Sequence, residues 1–396
     1  MRPRYALCAA IAVVLAASTS CGSDDQPGAP AVDTAALDSG NYPVVPRDVE
    51  TIRTSETGAL LEAVRIGAVT PLPLQIDGKF SFQTLVSPER RLSADSPPII
   101  TSLTEADFRE VAQGFIAGWD TNGKRRSQPN LGSAVELDIL RFHEPAQALA
   151  AAHALAERQS TKLPGQQIQI PDFPLAKAKY SESKKYLDTW LTHNALVLHV
   201  HIEDPVSEPV DVTSLIDFTR RALAKKIEML NSYSPTPADQ LQALPIDTDG
   251  LLSRTLPVEP GQQRNGKDYS VVMPQQAAMH FETGPAQVWA ALADAGVDLV
   301  AFSNARVYRA RDAKSATRLA AALIAKDADG WQAIDSPPNL PTAKCFDTKD
   351  KKLNSGRYPP ACFLTYDRYV ARVTAKNTQE LHQKAAAQYK LLAYRP

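Results

Sequence analysis

The sequence predicts an α+β fold built as two tandem, related modules, each an antiparallel or mixed sheet with helices packed on one face. Three observations carry this prediction. Ile139-Leu140-Arg141-Phe142-His143-Glu144 and Val307-Tyr308-Arg309-Ala310-Arg311-Asp312 lie 168 residues apart, and each is followed by an Ala-rich helical stretch, 145–157 and 313–326. The pattern Pro-x-x-Pro-x-Ala-Lys occurs at 171–177 and again at 338–344, an offset of 167 residues. A Pro-rich stretch, 234–267, separates the two copies. Shared patterns at a nearly constant offset are the mark of a duplicated supersecondary unit.

From the N-terminus, Arg2 and Arg4 precede Ala6–Ala17, an unbroken apolar run of twelve residues. A helix needs ~20 residues to cross the hydrocarbon of a bilayer, so the run reads as the core of a signal peptide spanning 1–20. It ends at Ser18-Thr19-Ser20-Cys21. This segment resembles the lipobox of bacterial lipoproteins, with a small residue before Cys21 and Ser18 where a Leu or Val is usual. The resemblance implies that Cys21 becomes the lipidated N-terminus; the alternative is ordinary signal cleavage and secretion. Acyl chains contribute ~0.8 kcal/mol per buried methylene, so two or more give a stable anchor. Residues 21–47, rich in Gly, Ser, Asp, Pro and Ala, are expected to form a flexible tether.

The first module, with an N-terminal extension, is placed at 48–233. The apolar spacing of Leu60, Leu61 and Val64 predicts a helix over 58–65, and 80–86 reads as a strand. Thr104 with Asp107 caps an opening helix, 105–117. Then follow a strand (135–141), the Ala-rich helix opened by Glu144-Pro145, two strands (176–180 and 190–202) and a closing helix (214–230). Residues 234–267 are expected to be an extended linker. The second module, 268–396, repeats the order: helix 285–294, strand 299–309, helix 313–326 capped by Asp312, strands 343–347 and 361–374, and helix 379–392.

Composition limits the function classes. Apolar residues make up 44 %, which is globular, and a net charge of −1 offers no field for nucleic acid. Of four cysteines, Cys8 leaves with the signal peptide. Cys345 and Cys362 sit on the strands flanking 347–359 and are expected to form a disulfide that copy one lacks, since Ala178 stands where Cys345 does. That leaves Cys21 as the thiol to be lipidated. No Gly-x-Ser-x-Gly elbow, phosphate-cradling glycine loop or Glu-x-x-His zinc pattern occurs, so no catalytic, cofactor or metal residue is expected. His193, His199 and His201 alternate along one strand and are expected on its solvent-facing side. A His199/His201 chelate of a metal-assisted hydrolase is the alternative. Lys177 and Lys344, equivalent in the repeat, are expected to be exposed, with anion binding as the other reading.

Leu37-Asp38-Ser39-Gly40-Asn41-Tyr42-Pro43, the segment 69–80 and Tyr308-Arg309-Ala310-Arg311-Asp312 resemble a family of two-domain secreted lipoproteins of mycobacteria and related actinobacteria, whose function is uncharacterised. The second module is similar, more loosely, to the extracellular sensor domains of actinobacterial serine/threonine kinases. The resemblance implies an address at the outer face of the cytoplasmic membrane and assigns no catalytic residue. The expectation is a non-enzymatic envelope lipoprotein that binds a lipid, a glycan or an envelope protein. A sensor-like or scaffold module is a further alternative.

Overall fold

The computed structural model describes residues 32–83, 90–128, 130–263, 266–350 and 359–395. The expected signal peptide and Cys21 lie outside the described residues, as does part of the expected strand at 80–86. The chain opens with α1 (Thr57–Gly67) and α2 (Pro73–Ile76). The first module continues through β1 (Arg91–Ser93), α3 (Glu105–Val111), β2 (Phe115–Lys124), β3 (Ala134–Phe142), α4 (Pro145–Lys162), β4 (Gln166–Ile168), β5 (Lys177–Ser181), β6 (Tyr186–His193), β7 (Leu196–Glu203) and α5 (Val212–Leu230). The second runs β8 (Val271–Pro274), α6 (Gln275–Met279), α7 (Pro285–Ala295), β9 (Leu299–Phe302), β10 (Ala305–Arg309), α8 (Ala313–Lys326), β11 (Trp331–Ile334), β12 (Lys344–Thr348), β13 (Ala361–Tyr366), β14 (Tyr369–Thr374) and α9 (Thr378–Ala393).

Each module contains a seven-stranded antiparallel sheet. The first has the order β1-β2-β3-β7-β6-β5-β4, and the second, read from β8, has β8-β9-β10-β14-β13-β12-β11. The orders are the same, so the chain is two tandem copies of one α+β module. Strand pairing also fixes which residues are equivalent. Asp138 pairs with His199 and Arg306 with Arg372; Trp190 pairs with His199 and Phe363 with Arg372; Lys177 pairs with Trp190 and Lys344 with Phe363. The repeated arginines have structural work in both copies. Arg141 meets Glu62 at 2.5 Å, and Arg309 meets Asp298 at 2.6 Å.

Several elements depart from the sequence reading. The stretches expected as single strands at 190–202, 299–309 and 361–374 are hairpins. Asn194 and Asp367, at φ +53° and +49°, make two of the turns, using the tolerance of Asn and Asp for the left-handed region. The helix expected to reach Ala117 stops at Val111, and Gly114 at φ +82° turns the chain into β2. That strand was hidden because Gly118, Asn122 and Gly123 interrupt its alternation. Helices cover both faces of each sheet, where one covered face was expected. Side chains alternate along a strand: Ile139 and Leu198 point toward Phe218 and Leu223 of α5, while their neighbours Leu140 and Val197 pack on Ala148, Ala152 and Leu155 of α4. In the second module α8 and α9 divide the two faces likewise.

The segments expected to be tether and linker are packed where they are described. Leu37 is buried in one cluster with Ile246, Leu251, Leu252 and Leu256, against α9 and the second sheet. Lys390 donates to the Leu37 carbonyl at 2.8 Å, and Gln388 both accepts from Leu256 N–H and donates to the Arg254 carbonyl. Polar composition had masked these few leucines, each of which removes a large apolar area from water. Cys345 and Cys362 face each other across β12 and β13 and form the expected disulfide. It closes a loop of 17 residues, worth ~3 kcal/mol in the chain-entropy account.

The modules share a core. His280, fully buried, sits edge-on to Trp119 of β2; its Nε2–H donates to the Thr70 carbonyl and its Nδ1 accepts from the Thr121 hydroxyl. Burial and the charge of Arg90 push this imidazole down to about 3, in keeping with the neutral form this geometry requires. Gln276 donates to the Thr70 carbonyl and Gln83 to the Met279 carbonyl. One apolar cluster runs from Ile66 and Trp119 to Met279, Leu292 and Leu319. Because that cluster crosses the module boundary, scanning calorimetry of the full chain is expected to give one transition. A Cβ on Gly67 would stand 2.5 Å from the Trp119 indole. Gly67→Ala is therefore expected to lower that single transition by about 1–3 kcal/mol of stability, without splitting it into two.

Candidate functional site

A groove of about 310 Å³ opens between α4 and the outer strands of the first sheet. His153, Glu157, Gln159 and Ser160 form its helix wall; Gln167, Lys177, Lys179, Asp188 and Trp190 form its sheet wall. Residues two apart on a strand share a face, so Lys177 and Lys179 on β5, and Asp188 and Trp190 on β6, point the same way. Lys177 and Lys179 stand directly across from Trp190 and Asp188. Trp190 is held in place by its Nε1–H, which donates to Gln159 Oε1 at 3.0 Å.

Beside the sheet wall, on the same face of the sheet, lies a row of buried charge. His199 donates from Nδ1 to Asp138 at 2.8 Å and from Nε2 to Asp188 Oδ1 at 3.2 Å. His201 donates from Nδ1 to the same Oδ1 at 2.9 Å, and its Nε2 lies 4.0 Å from Glu203. The His199 ring is 0 % exposed and stacks on Trp190 with centroids 4.1 Å apart, a cation–π arrangement. From the opposite face of the sheet, Lys226 of α5 donates to the carbonyls of Asp138 and His199.

The protonation states follow from these contacts. Burial works against an imidazolium at His199, but hydrogen bonds to Asp138 and Asp188 outweigh it and raise the group to about 9. His201 is raised as well: burial opposes, and Asp188 outweighs it. Burial would raise Asp188, yet the charge of His201 and the hydrogen bonds of both rings hold it at about 2. Glu136, opposite His201, is raised chiefly by burial. Lys226, desolvated, is pushed down to about 7. At neutral pH His199 is therefore an imidazolium and Asp188 a carboxylate. One atom is left over. Asp188 Oδ2 is buried and has no hydrogen-bond partner.

The expected solvent-facing histidines are therefore corrected. His199 and His201 are buried, because α4 and their carboxylate partners cover a face that looked free in the sequence. His193 lies on the preceding strand, across the turn from Leu196, and has no part in the row. The hydrolase alternative fares poorly on geometry. A zinc ligand must offer an unprotonated ring nitrogen, and both His199 nitrogens are taken by carboxylates. Among the described residues no group of three or more His, Cys, Asp or Glu is arranged to hold a metal ion. Lys177 is exposed and Lys344 is exposed, and only Lys177 borders this groove.

Sequence reasoning missed Asp138, Asp188, Lys179 and Gln167. Reading Asn194-Ala195 as a two-residue hairpin turn would have set Asp188 opposite His201. The second copy differs at these positions. Phe346 stands in the place of Lys179, Ala333 of Gln167, Ala361 of Asp188 and Arg372 of His199. There Trp331, Phe346 and Phe363 pack on one another, with the Arg372 guanidinium over Trp331 at 5.3 Å.

Residues 49–246 match a family model described as the N-terminal part of a domain of unknown function, DUF7373, and residues 251–395 match that of its C-terminal part. No curated protein matches the chain. Among solved structures, the extracellular domain of PknH from Mycobacterium tuberculosis is 13 % identical at a TM-score of 0.30, over 43 % of this chain and 97 % of that one. That likeness is too slight to support a shared activity.

The buried row makes stability depend on pH in a defined direction. Folding raises His199 above its unfolded value of ~6.5, so its contribution is complete below that pH and is lost as pH rises through about 9. Asp188 works the other way: its contribution is present above ~3.9 and is lost as pH falls through about 2. The stability difference between wild type and His199→Gln, measured by urea unfolding, is expected to be about 3 kcal/mol near pH ~5.5 and to shrink toward pH ~9. A difference that stays constant with pH would contradict the charged state of the ring.

Proposed function

Starting from the fact that the chain belongs to the DUF7373 family, we propose that it is a non-enzymatic binding protein of the cell envelope, held at the outer face of the membrane by lipid on Cys21, with a polar small-molecule or glycan site in its first module. The observation that carries the reading is the divergence of the two copies at one place. The module is the same, but where the second copy carries Phe346, Ala333 and Ala361 the first carries Lys179, Gln167 and Asp188, around a groove. Its volume is at the lower end of the ~300–1,000 Å³ of small-ligand sites. Lysines, amides, a hydroxyl and two carboxylates beside one indole suit a hydroxylated ligand better than an acyl chain.

The lipid-carrier reading is the weaker one. The layers on both faces of the sheets are filled by large side chains such as Phe80, Trp119, Phe142 and Phe218. The anchor rests on the sequence: a short apolar run, Ser20 before Cys21, and the pairing of the other two mature cysteines. Intact mass of protein from the native membrane is expected to show a chain starting at Cys21 with a diacylglyceryl adduct. A chain starting elsewhere removes the anchor and leaves the groove.

Binding is tested by filling the groove as the second copy does. A panel of mono- and disaccharides and their charged derivatives, screened by ligand-observed magnetic resonance, is expected to give binders to the wild type. Lys179 is half-buried, so Lys179→Phe is expected to abolish binding while changing stability by no more than about 1 kcal/mol. Binding that survives Lys179→Phe would place the ligand elsewhere.

A further inference from the structure

Within that groove, and resting on the binding reading, we infer that the ligand is a sugar or polyol bearing a phosphate: its hydroxyl donates to Asp188 Oδ2 and its phosphate lies between Lys177 and Lys179. The acceptor comes first. Asp188 is 3 % exposed; Oδ1 takes two histidine N–H groups and Oδ2 takes none. An unpaired buried acceptor is destabilising, and a ligand donor at the groove wall relieves that.

The donor needs no charge. Asp188 already accepts from both the His199 and His201 rings and is paired with the His199 imidazolium. The other charged groups around this row are Glu136 and Glu203 beside His201, Asp120 across from Asp138 and paired with Arg90, Lys226 beneath the row and Lys179 across from Asp188. Lys179 makes no ion pair within 4.0 Å with Asp188 although the two stand opposite one another in register. A neutral hydroxyl is the donor that satisfies Oδ2 without adding a further buried charge.

The phosphate follows from the cations. Lys177 and Lys179 are ~6.6 Å apart along β5 and make no hydrogen bond or ion pair with a described residue, and His153 faces them from α4. Ammonium groups bind phosphate as point charges, and a phosphate monoester carries a charge of about −2 near neutrality. Glu157 on the helix wall would repel an anion placed against α4, which directs the phosphate to the sheet side. In the second copy Lys344 remains, but Phe346 and Ala361 replace both the second cation and the acceptor. The two features are lost together, as expected if one ligand uses both.

The test is calorimetric titration of the full mature chain with glucose 6-phosphate, glucose and inorganic phosphate, separately. Glucose 6-phosphate is expected to bind at least about tenfold more tightly than either fragment, the effect of one charge-assisted hydrogen bond. Lys179→Ala is expected to remove about tenfold of that affinity and to leave glucose unaffected. Vesicles of phosphatidylcholine with and without phosphatidylinositol, sedimented with the Cys21→Ser chain, separate a lipid headgroup from a free sugar phosphate. Both sources support the inference. Equal affinity for glucose and glucose 6-phosphate overturns the phosphate while sparing the binding reading. Equal affinity for phosphate and glucose 6-phosphate overturns the hydroxyl contact. Silence from all three probes, from both kinds of vesicle and from the neutral glycan panel overturns the binding reading itself.

Discussion

The hydrogen bonding of two buried histidine rings to two carboxylates constrains everything built around the first sheet. Each charge among them costs several kcal/mol to remove from water unless a partner replaces the solvent. His199 cannot move without stranding Asp138 and Asp188, so the register of β3, β7 and β6 is tied to one arrangement. A one-residue slip would turn every side chain to the opposite face and bury Leu198 and Val200 against carboxylates. The stack of Trp190 on His199, and the bond from Trp190 to Gln159, carry this constraint outward to α4.

The same row explains why the groove is there. At the equivalent end of the second sheet the large rings of Trp331, Phe346 and Phe363 pack on one another. In the first copy a buried carboxylate with one unsatisfied oxygen stands at the wall, beside two lysines without partners among the described residues. Duplication supplies the comparison. Topology and register are shared, so the difference lies in side-chain chemistry at a few equivalent positions. The row also shows how a buried ionic group can have a positioning role, since it fixes where Asp188 Oδ2 points.

The two modules are not separate bodies on a string. His280 and the residues around it reach from the second module into the first, and Leu37, Leu241, Ile246, Leu251, Leu252 and Leu256 fasten the connecting segments down. Helix over strand was readable for α4, α5, α7, α8 and α9 because each has a cap or an N-terminal Pro and a long apolar stripe. The strands were less readable. Where a turn consists of two ordinary-looking residues, such as Asn194-Ala195, a hairpin and a long strand have the same alternation. A strand with two glycines, such as β2, lacks the β-branched signature altogether.

By itself the sequence determined the duplication, the α+β class, the helix positions and the Cys345–Cys362 pair, because repeats, caps and cysteine spacing are local or periodic signals. Tertiary structure alone decided that both sheet faces are covered, that His199 and His201 are buried beside Asp138 and Asp188, and that Lys177 borders a groove while Lys344 does not. Those outcomes depend on which residues pair across strands and which helix lies over them. Such contacts join positions 11 to 61 residues apart, and no window along the chain contains the partner that sets a side chain's charge or exposure.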